Sequence, residues 1–197
     1  MSRKTTEREH KMDDFQTLFD QSVSKLARLI IQSGNKYSSE CSSSLLKCIS
    51  KCDRTLQKNK DNRRLDPERI KFEAFREVIK FNGDVLPFGI EDEYNETQDL
   101  LRAVEAAAYT FIRGEYVFDE LVQQKIGDIL QIFEKRRKQN RYIDLDEDEI
   151  QKMMNPERIK LLVLDEVNRL ESKENNNIDN IPPEIINLHK ELQQSFA

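Results

Sequence analysis

Apolar residues along the chain recur at steps of three and four, and no segment shows the sustained apolar–polar alternation of a strand. This spacing predicts an all-α protein, a multi-helix bundle of about six to eight helices around one core and without a sheet. The predicted helices cover about 9–33, 39–58, 67–81, 93–113, 117–138, a short helix that begins within 144–149, about 156–171, and a last short helix from 183.

Two similar segments mark helix starts. They are Leu65–Lys71 (LDPERIK) and Met154–Lys160 (MNPERIK). In each, an N-cap residue, Asp66 or Asn155, can accept a backbone N–H. A Pro follows at the first helical position, where its missing N–H costs nothing, and a Glu complements the positive helix end. The requirements of starting a helix explain both segments, so we do not infer an internal duplication.

A polar segment near the C-terminus divides the chain. Residues 1–172 are predicted to form a helical bundle domain, 173–182 a polar linker, and 183–197 a C-terminal amphipathic helix. This last helix carries four apolar residues that could form a partner-binding face: Ile185, Leu188, Leu192 and Phe196. The helix either docks on the bundle, which is the default expectation, or offers this face to a partner.

The composition fits a folded domain of ordinary size. Of 197 residues, 37% are hydrophobic and 35% are charged, and a chain of this length can bury a core. No apolar run approaches the roughly 20 residues of a membrane span. The charged N-terminus, MSRKTTEREHKMDD, has no secretory signal. We therefore expect an intracellular protein, in the cytoplasm or the nucleus, without a membrane span.

Charge is segregated into blocks, although the net charge is only -5. Basic blocks run from Lys47 to Arg64 and from Glu134 to Arg141, whereas Asp84–Asp99 and Asp144–Glu149 hold acids and no base. The candidate residues for binding nucleic acid or a partner are Lys47, Lys51, Arg54, Arg63, Arg64, Lys135, Arg136, Arg137 and Lys138. The alternative is that these cations are solvated or complement the negative ends of helices, as residues 135–138 would in a last helical turn.

The three cysteines, Cys41, Cys48 and Cys52, lie at spacings that place them on one helical face. Three buried, reduced thiols in a core stripe are the favoured interpretation. An odd count without a secretory signal argues against a disulfide framework. The alternative is a metal site at Cys48 and Cys52, but zinc needs three or four protein ligands. We predict no metal and no cofactor.

The usual motifs of catalysis are absent from the sequence. There is no Gly-rich phosphate loop, no GxGxxG, no GxSxG and no HExxH. An Asp-x-Asp-x-Asp pattern begins at Asp144, but Glu149 replaces the Gly of a calcium loop and Asn155 replaces its final Glu. Clustered carboxylates such as Glu93 and Glu105 leave a metal-dependent enzyme as the third alternative. We expect a protein without enzymatic activity.

Three segments resemble the N-terminal half of the translin and translin-associated-factor-X family: Asp14–Ser33, Glu68–Ile79 and Leu100–Glu115. The resemblance implies an all-α fold, assembly into oligomers and binding of single-stranded DNA and RNA. The nuclease-competent member of that family carries an E-x-x-E pattern before an alanine. Here the second acid falls on Glu105, but the first falls on Arg102, so the resemblance does not imply metal-dependent RNA cleavage.

Two functional hypotheses follow from these patterns. The first is a non-enzymatic helical protein-interaction subunit or adaptor of a larger intracellular assembly, because helical patterning and segregated charge occur without catalytic motifs. The alternative is a translin-like helical protein that binds single-stranded nucleic acid through the basic blocks. Other protein subunits are the partners expected from the first hypothesis and nucleic acid from the second, and both are compatible with an oligomer.

Overall fold

The structure, a computed structural model, describes residues 3–59, 61, 63–139, 147–174 and 181–196, with side chains over 14–172 and 181–196 of these ranges. These residues form eight α-helices and one short 3-10 helix, and they contain no strand. The all-α prediction is therefore confirmed. The helices are α1 (Arg3–Gln32), α2 (Ser39–Lys58), α3 (Pro67–Phe81), α4 (Glu91–Arg113), α5 (Glu120–Lys138), α6 (Glu147–Met153), α7 (Pro156–Glu174) and α8 (Pro183–Ser195), and the 3-10 helix Phe88–Ile90 precedes α4.

Polar caps define several helix ends. Asp66 Oδ1 accepts the backbone N–H of Glu68 at 3.0 Å, and Asn155 Oδ1 accepts that of Glu157 at 2.9 Å. Both predicted caps are thus confirmed. The fifth helix begins later than predicted, because Asp119 is its N-cap and leaves residue 117 outside the helix.

The chain divides into two compact units, Met1–Gln98 and Asp99–Ala197, each with its own apolar core. The sequence predicts one core, and the reason for the difference lies in α4. The first nine residues of this helix, 91–99, are polar apart from Tyr94, whereas its apolar stripe begins at Leu100. The predicted linker lies mostly outside the described residues, and the predicted domain boundaries stay predictions.

Unit 1 is built around α1, which packs against both α2 and α3. Ile30, Ile70 and Phe75 are completely buried in its core. The apolar stripe predicted for α2 faces this core and consists of Cys41, Leu45, Ile49, Cys52 and Leu56. The opposite face of α2 is therefore left for solvent.

Unit 2 is built around α7, which contacts α5, α6 and α8. Phe111, Ile129 and Leu164 are fully buried in its core. Tyr116 donates from its hydroxyl to Glu171 Oε1 at 3.0 Å, and this bond joins the turn after α4 to the end of α7. The polar bond helps to close the end of the unit without leaving a buried carboxylate unpaired.

Candidate interaction surfaces

Four cations form one exposed stripe along α2. Lys47, Lys51, Arg54 and Lys58 follow each other at steps of four, three and four residues, so their side chains project from the same helical face. All four are exposed, and no ion pair to another described residue involves them. We call these four residues the basic stripe. The structure thus brings the predicted sites Lys47, Lys51 and Arg54 together, because the other side of α2 is committed to the core.

The two remaining candidate cations of this block interact with acids. Arg63 Nη2 donates to Asp61 Oδ2 at 2.6 Å and its Nε donates to Oδ1 at 3.0 Å. The guanidinium of Arg63 also lies 4.5 Å from the centre of the Phe15 ring. Burial raises the pKa of Asp53, and the nearby charge of Arg64 lowers it by less. These two arginines stabilise the connection between α2 and α3.

The basic end of α5 is divided between core and surface. Arg136 is buried, with 4% of its surface exposed. Arg137 Nη2 donates to Glu147 Oε1 of α6 at 2.7 Å, whereas Lys135 and Lys138 are exposed. Position 136 falls on the buried face of α5 because it follows Phe133 by three residues. The segment 135–138 therefore presents two lysines to solvent rather than a continuous basic patch.

The apolar face of α8 packs inside unit 2. The predicted partner-binding residues lie against the core of that unit: Ile185, Leu188, Leu192 and Phe196. His189 Nε2 lies 2.6 Å from Asp165 Oδ1 of α7 and adds a polar contact beside this face. The other ring contacts among the described residues are with the amides of Asn168 and Gln193, which are not nucleophiles. The pair therefore joins α7 and α8.

A separate exposed apolar surface lies outside the candidate sites of the sequence. Phe81, Val85 and Phe88 leave 71%, 64% and 92% of their surfaces exposed. They lie in one eight-residue segment that begins at the last residue of α3 and ends at the first residue of the 3-10 helix before α4. We call residues 81–88 the aromatic loop. The available sequence signal was three large apolar side chains in a Gly- and Pro-rich segment without helical spacing.

The aromatic loop has an ordered base. Asn35 Nδ2 donates to Asn82 Oδ1 at 3.2 Å, which joins the ends of α1 and α3. A Cβ atom at Gly89 would collide with the backbone oxygen of Asn35, so only Gly allows this approach of the two segments. Two exposed acids accompany the apolar side chains: Asp84 lies within the loop and Glu91 lies three residues after its end. The loop is therefore a fixed apolar projection with negative charge beside it.

The cysteine cluster is part of the core of unit 1. Cys41 and Cys52 are buried, Cys48 is half-buried, and all three are free thiols. Ser22 Oγ of α1 lies 3.4 Å from Cys48 Sγ and 3.7 Å from Cys52 Sγ. Burial raises the pKa of Cys52, which keeps its thiol protonated at neutral pH. Within the described residues no three side chains of the metal-binding types come together.

Comparison with protein-family models, with curated proteins and with solved structures finds no match. The segments that resemble the translin family lie in α1, α3 and α4. Glu105 Oε1, which corresponds to the second acid of the family pattern, lies 3.6 Å from Arg169 Nη2, and Arg102 is exposed. No helix in the described part of the chain combines the length and apolar character that a membrane span requires.

Proposed function

We propose that this chain is a non-enzymatic helical subunit of a larger intracellular assembly, and that it docks protein partners in that assembly through the aromatic loop. The observation that carries the proposal is the exposure of Phe81, Val85 and Phe88. By contrast, Phe75 and Phe111 lie in the cores of the two units and are completely buried. Large apolar side chains that stay exposed within a few residues of one another, as these do in the chain, are typical of interaction sites.

Burial of the loop by a partner would be favourable for two reasons. Removing a Phe side chain from water contributes about 1.5–3 kcal/mol, and aromatic residues are enriched among those that dominate binding energies. In addition, the loop base is already fixed by the contact between Asn35 and Asn82. A fixed loop loses little conformational entropy on binding, so more of the contact energy contributes to affinity.

Affinity purification of the tagged chain from its native source tests this proposal. The wild type should recover protein partners in stoichiometric amounts, and Phe88→Ala should lose them. Leu121→Ala is the matched control, because Leu121 is also apolar and 61% exposed but lies in α5 of unit 2. Equal recovery by Phe88→Ala and the wild type would refute the role of the loop. Recovery of the tagged chain with neither untagged copies nor other proteins would refute the function.

A second candidate function is binding of single-stranded nucleic acid, in line with the resemblance to the translin family. The observation that favours it is the basic stripe, whose cations Lys47, Lys51, Arg54 and Lys58 have no acidic partner among the described residues. Cations at steps of three and four residues along a helix can contact successive phosphates, and such contacts supply most of the affinity for single strands.

Fluorescence anisotropy with a labelled single-stranded oligonucleotide tests the second function. If all four cations contact phosphates, the logarithm of the association constant should fall with the logarithm of salt concentration with a slope of about -2.8. Lys51→Ala should reduce the steepness by about 0.7, whereas the control Lys135→Ala should not change it. A slope near zero, or equal slopes for all three proteins, would refute a site at the stripe.

A further inference from the structure

We propose that the aromatic loop of one copy of this chain docks on the basic stripe of α2 in a second copy, so that the protein associates head to tail. The inference rests on the proposed function, since it assigns an occupant to the loop. It also gives the stripe a protein ligand. Two features of unit 1, one apolar and acidic and the other basic, carry the argument.

The aromatic loop combines apolar surface with negative charge. Val85 and Phe88 are 64% and 92% exposed, and the exposed carboxylates of Asp84 and Glu91 lie beside them in sequence. From Asp84 to Asp99 the chain contains six acids and no base; Glu93 is paired with Lys71, whereas Asp84 and Glu91 are exposed next to the apolar side chains. A surface that receives this loop therefore needs positive charge around an apolar contact.

The outer face of α2 has both properties. The four cations of the basic stripe are exposed and have no acid partner among the described residues. Leu46, next to Lys47, leaves 49% of its surface exposed at the edge of the stripe. Both the loop and the stripe stay exposed in the folded chain, so neither satisfies the other within one copy. Contact between two copies would cover the apolar groups and pair the charges at once.

The observations favour this occupant over nucleic acid. The chain carries 37 acids against 32 bases, which opposes the general attraction of a polyanion. Nucleic acid would also leave the aromatic loop uncovered, because the exposed acids Asp84, within the loop, and Glu91, just after it, would repel phosphates. Association with a second copy brings the loop and the stripe together, and the acids of the loop are opposite in charge to the cations of the stripe.

The predicted contact is heterologous, because each copy contributes a different surface. A pair of copies then still has one free loop, on one copy, and one free stripe, on the other, so association continues to a ring or an open chain rather than stopping at a symmetric pair. This property gives a sharp test. A variant with an impaired loop and a variant with an impaired stripe should still form one contact with each other, and the resulting pair should not extend further.

Sedimentation equilibrium of the full chain provides the test. The average mass of the wild type should rise with concentration above the 23.3 kDa of one chain, and the rise should weaken in high salt. Phe88→Ala and Lys51→Glu should each weaken association about tenfold or more. An equal mixture of these two variants should form pairs of one copy each, because the intact loop of Lys51→Glu can dock on the intact stripe of Phe88→Ala.

Two variants serve as controls. Leu121→Ala removes an apolar side chain that is 61% exposed, and Lys25→Glu reverses an exposed charge on α1. Both should associate like the wild type. Glu91→Lys combined with Lys51→Glu exchanges the charges across the contact and should restore at least part of the association.

A wild-type mass of one chain at all concentrations, or a variant mixture that fails to pair, would overturn the inference. Recovery of other proteins through Phe88 would still support the proposed function, so the two failures are distinguishable. Loss of oligonucleotide binding in Lys51→Glu without any change in mass would also overturn the inference and assign the stripe to nucleic acid.

Discussion

Lys71 Nζ lies 2.8 Å from Glu93 Oε2, and this ion pair joins α3 to the first turn of α4. Both side chains are largely buried, with 10% and 19% of their surfaces exposed. The same Nζ lies 3.7 Å from Glu68 Oε2 and 4.9 Å from the centre of the Tyr37 ring. Burial raises the pKa of Tyr37, so its hydroxyl stays neutral beside the lysine. The lysine charge is therefore compensated by carboxylates from two helices.

Glu93→Gln should destabilise the protein by about 1–3 kcal/mol, because it leaves a largely buried ammonium with a weaker set of partners. Urea unfolding followed by circular dichroism measures this free energy. Glu73→Gln is the matched control: its 3.0 Å pair with Arg76 is exposed, and such pairs contribute about 0–1 kcal/mol. Equal losses from the two variants would show that the buried pair has no special role.

Asp66→Ala should lower the free energy of unfolding by about 0.5–2 kcal/mol, because the backbone N–H of Glu68 loses its acceptor at the start of α3. Asp66→Asn should retain most of the stability, since an amide oxygen also caps well. Urea unfolding under identical conditions measures the free energy of unfolding of each variant. A loss in Asp66→Asn as large as in Asp66→Ala would mean that the charge of the carboxylate, rather than the cap, is responsible.

Local features of the fold could be predicted from the sequence. The caps at Asp66 and Asn155 depend on residues within three positions of each other, so their chemistry is visible in the sequence itself. The alignment of Lys47, Lys51 and Arg54 follows in the same way from helical periodicity alone. The buried stripe of α2 behind them was likewise evident from its spacing.

Features that depend on tertiary contacts could not be predicted in this way. Arg136 belongs to a run of cations, and only the packing of α5 decides that it points inward while Lys135 does not. The aromatic loop shows the converse case. Whether Phe88 is covered depends on which other segment reaches it, and no local pattern contains that information. The separation of the chain into two cores also depends on which helices pack together, although the polar start of α4 is a local sign of it.

Asp53→Asn should make the protein more stable at neutral pH. Burial raises the pKa of Asp53 above its unfolded value of 3.8, so the folded state binds the proton more tightly. The stability contributed by this group is then present below the unfolded pKa and is lost as pH rises through the folded pKa. Urea titrations from pH 4 to 7 should show this loss in the wild type and a smaller one in Asp53→Asn. Parallel pH profiles would contradict the assignment.

The three thiols should differ in their rates of alkylation. Cys48 is half-buried, whereas Cys41 and Cys52 are buried, and burial also raises the pKa of Cys52. Iodoacetamide at pH 7.5 should therefore modify Cys48 first, because burial limits access to the other two thiols and the raised pKa of Cys52 further limits its thiolate. Peptide mass spectrometry at successive times measures the order. Modification of Cys52 before Cys48 would show that the face of α2 toward Ser22 opens in solution.

Leu192→Ala should release α8 from unit 2. Leu192 is 7% exposed in the core, and truncation of a buried Leu typically costs about 2–5 kcal/mol. Asp165→Asn should have a smaller effect of about 0–1 kcal/mol, because Asp165 is 45% exposed in its pair with His189. Hydrogen exchange of the amides in Pro183–Ser195 measures both effects, since their protection depends on docking as well as on the helix itself. Protection should fall strongly in Leu192→Ala, slightly in Asp165→Asn, and not at all in Leu121→Ala. If Asp165→Asn had the larger effect, the ion pair rather than the apolar face would hold α8 in place.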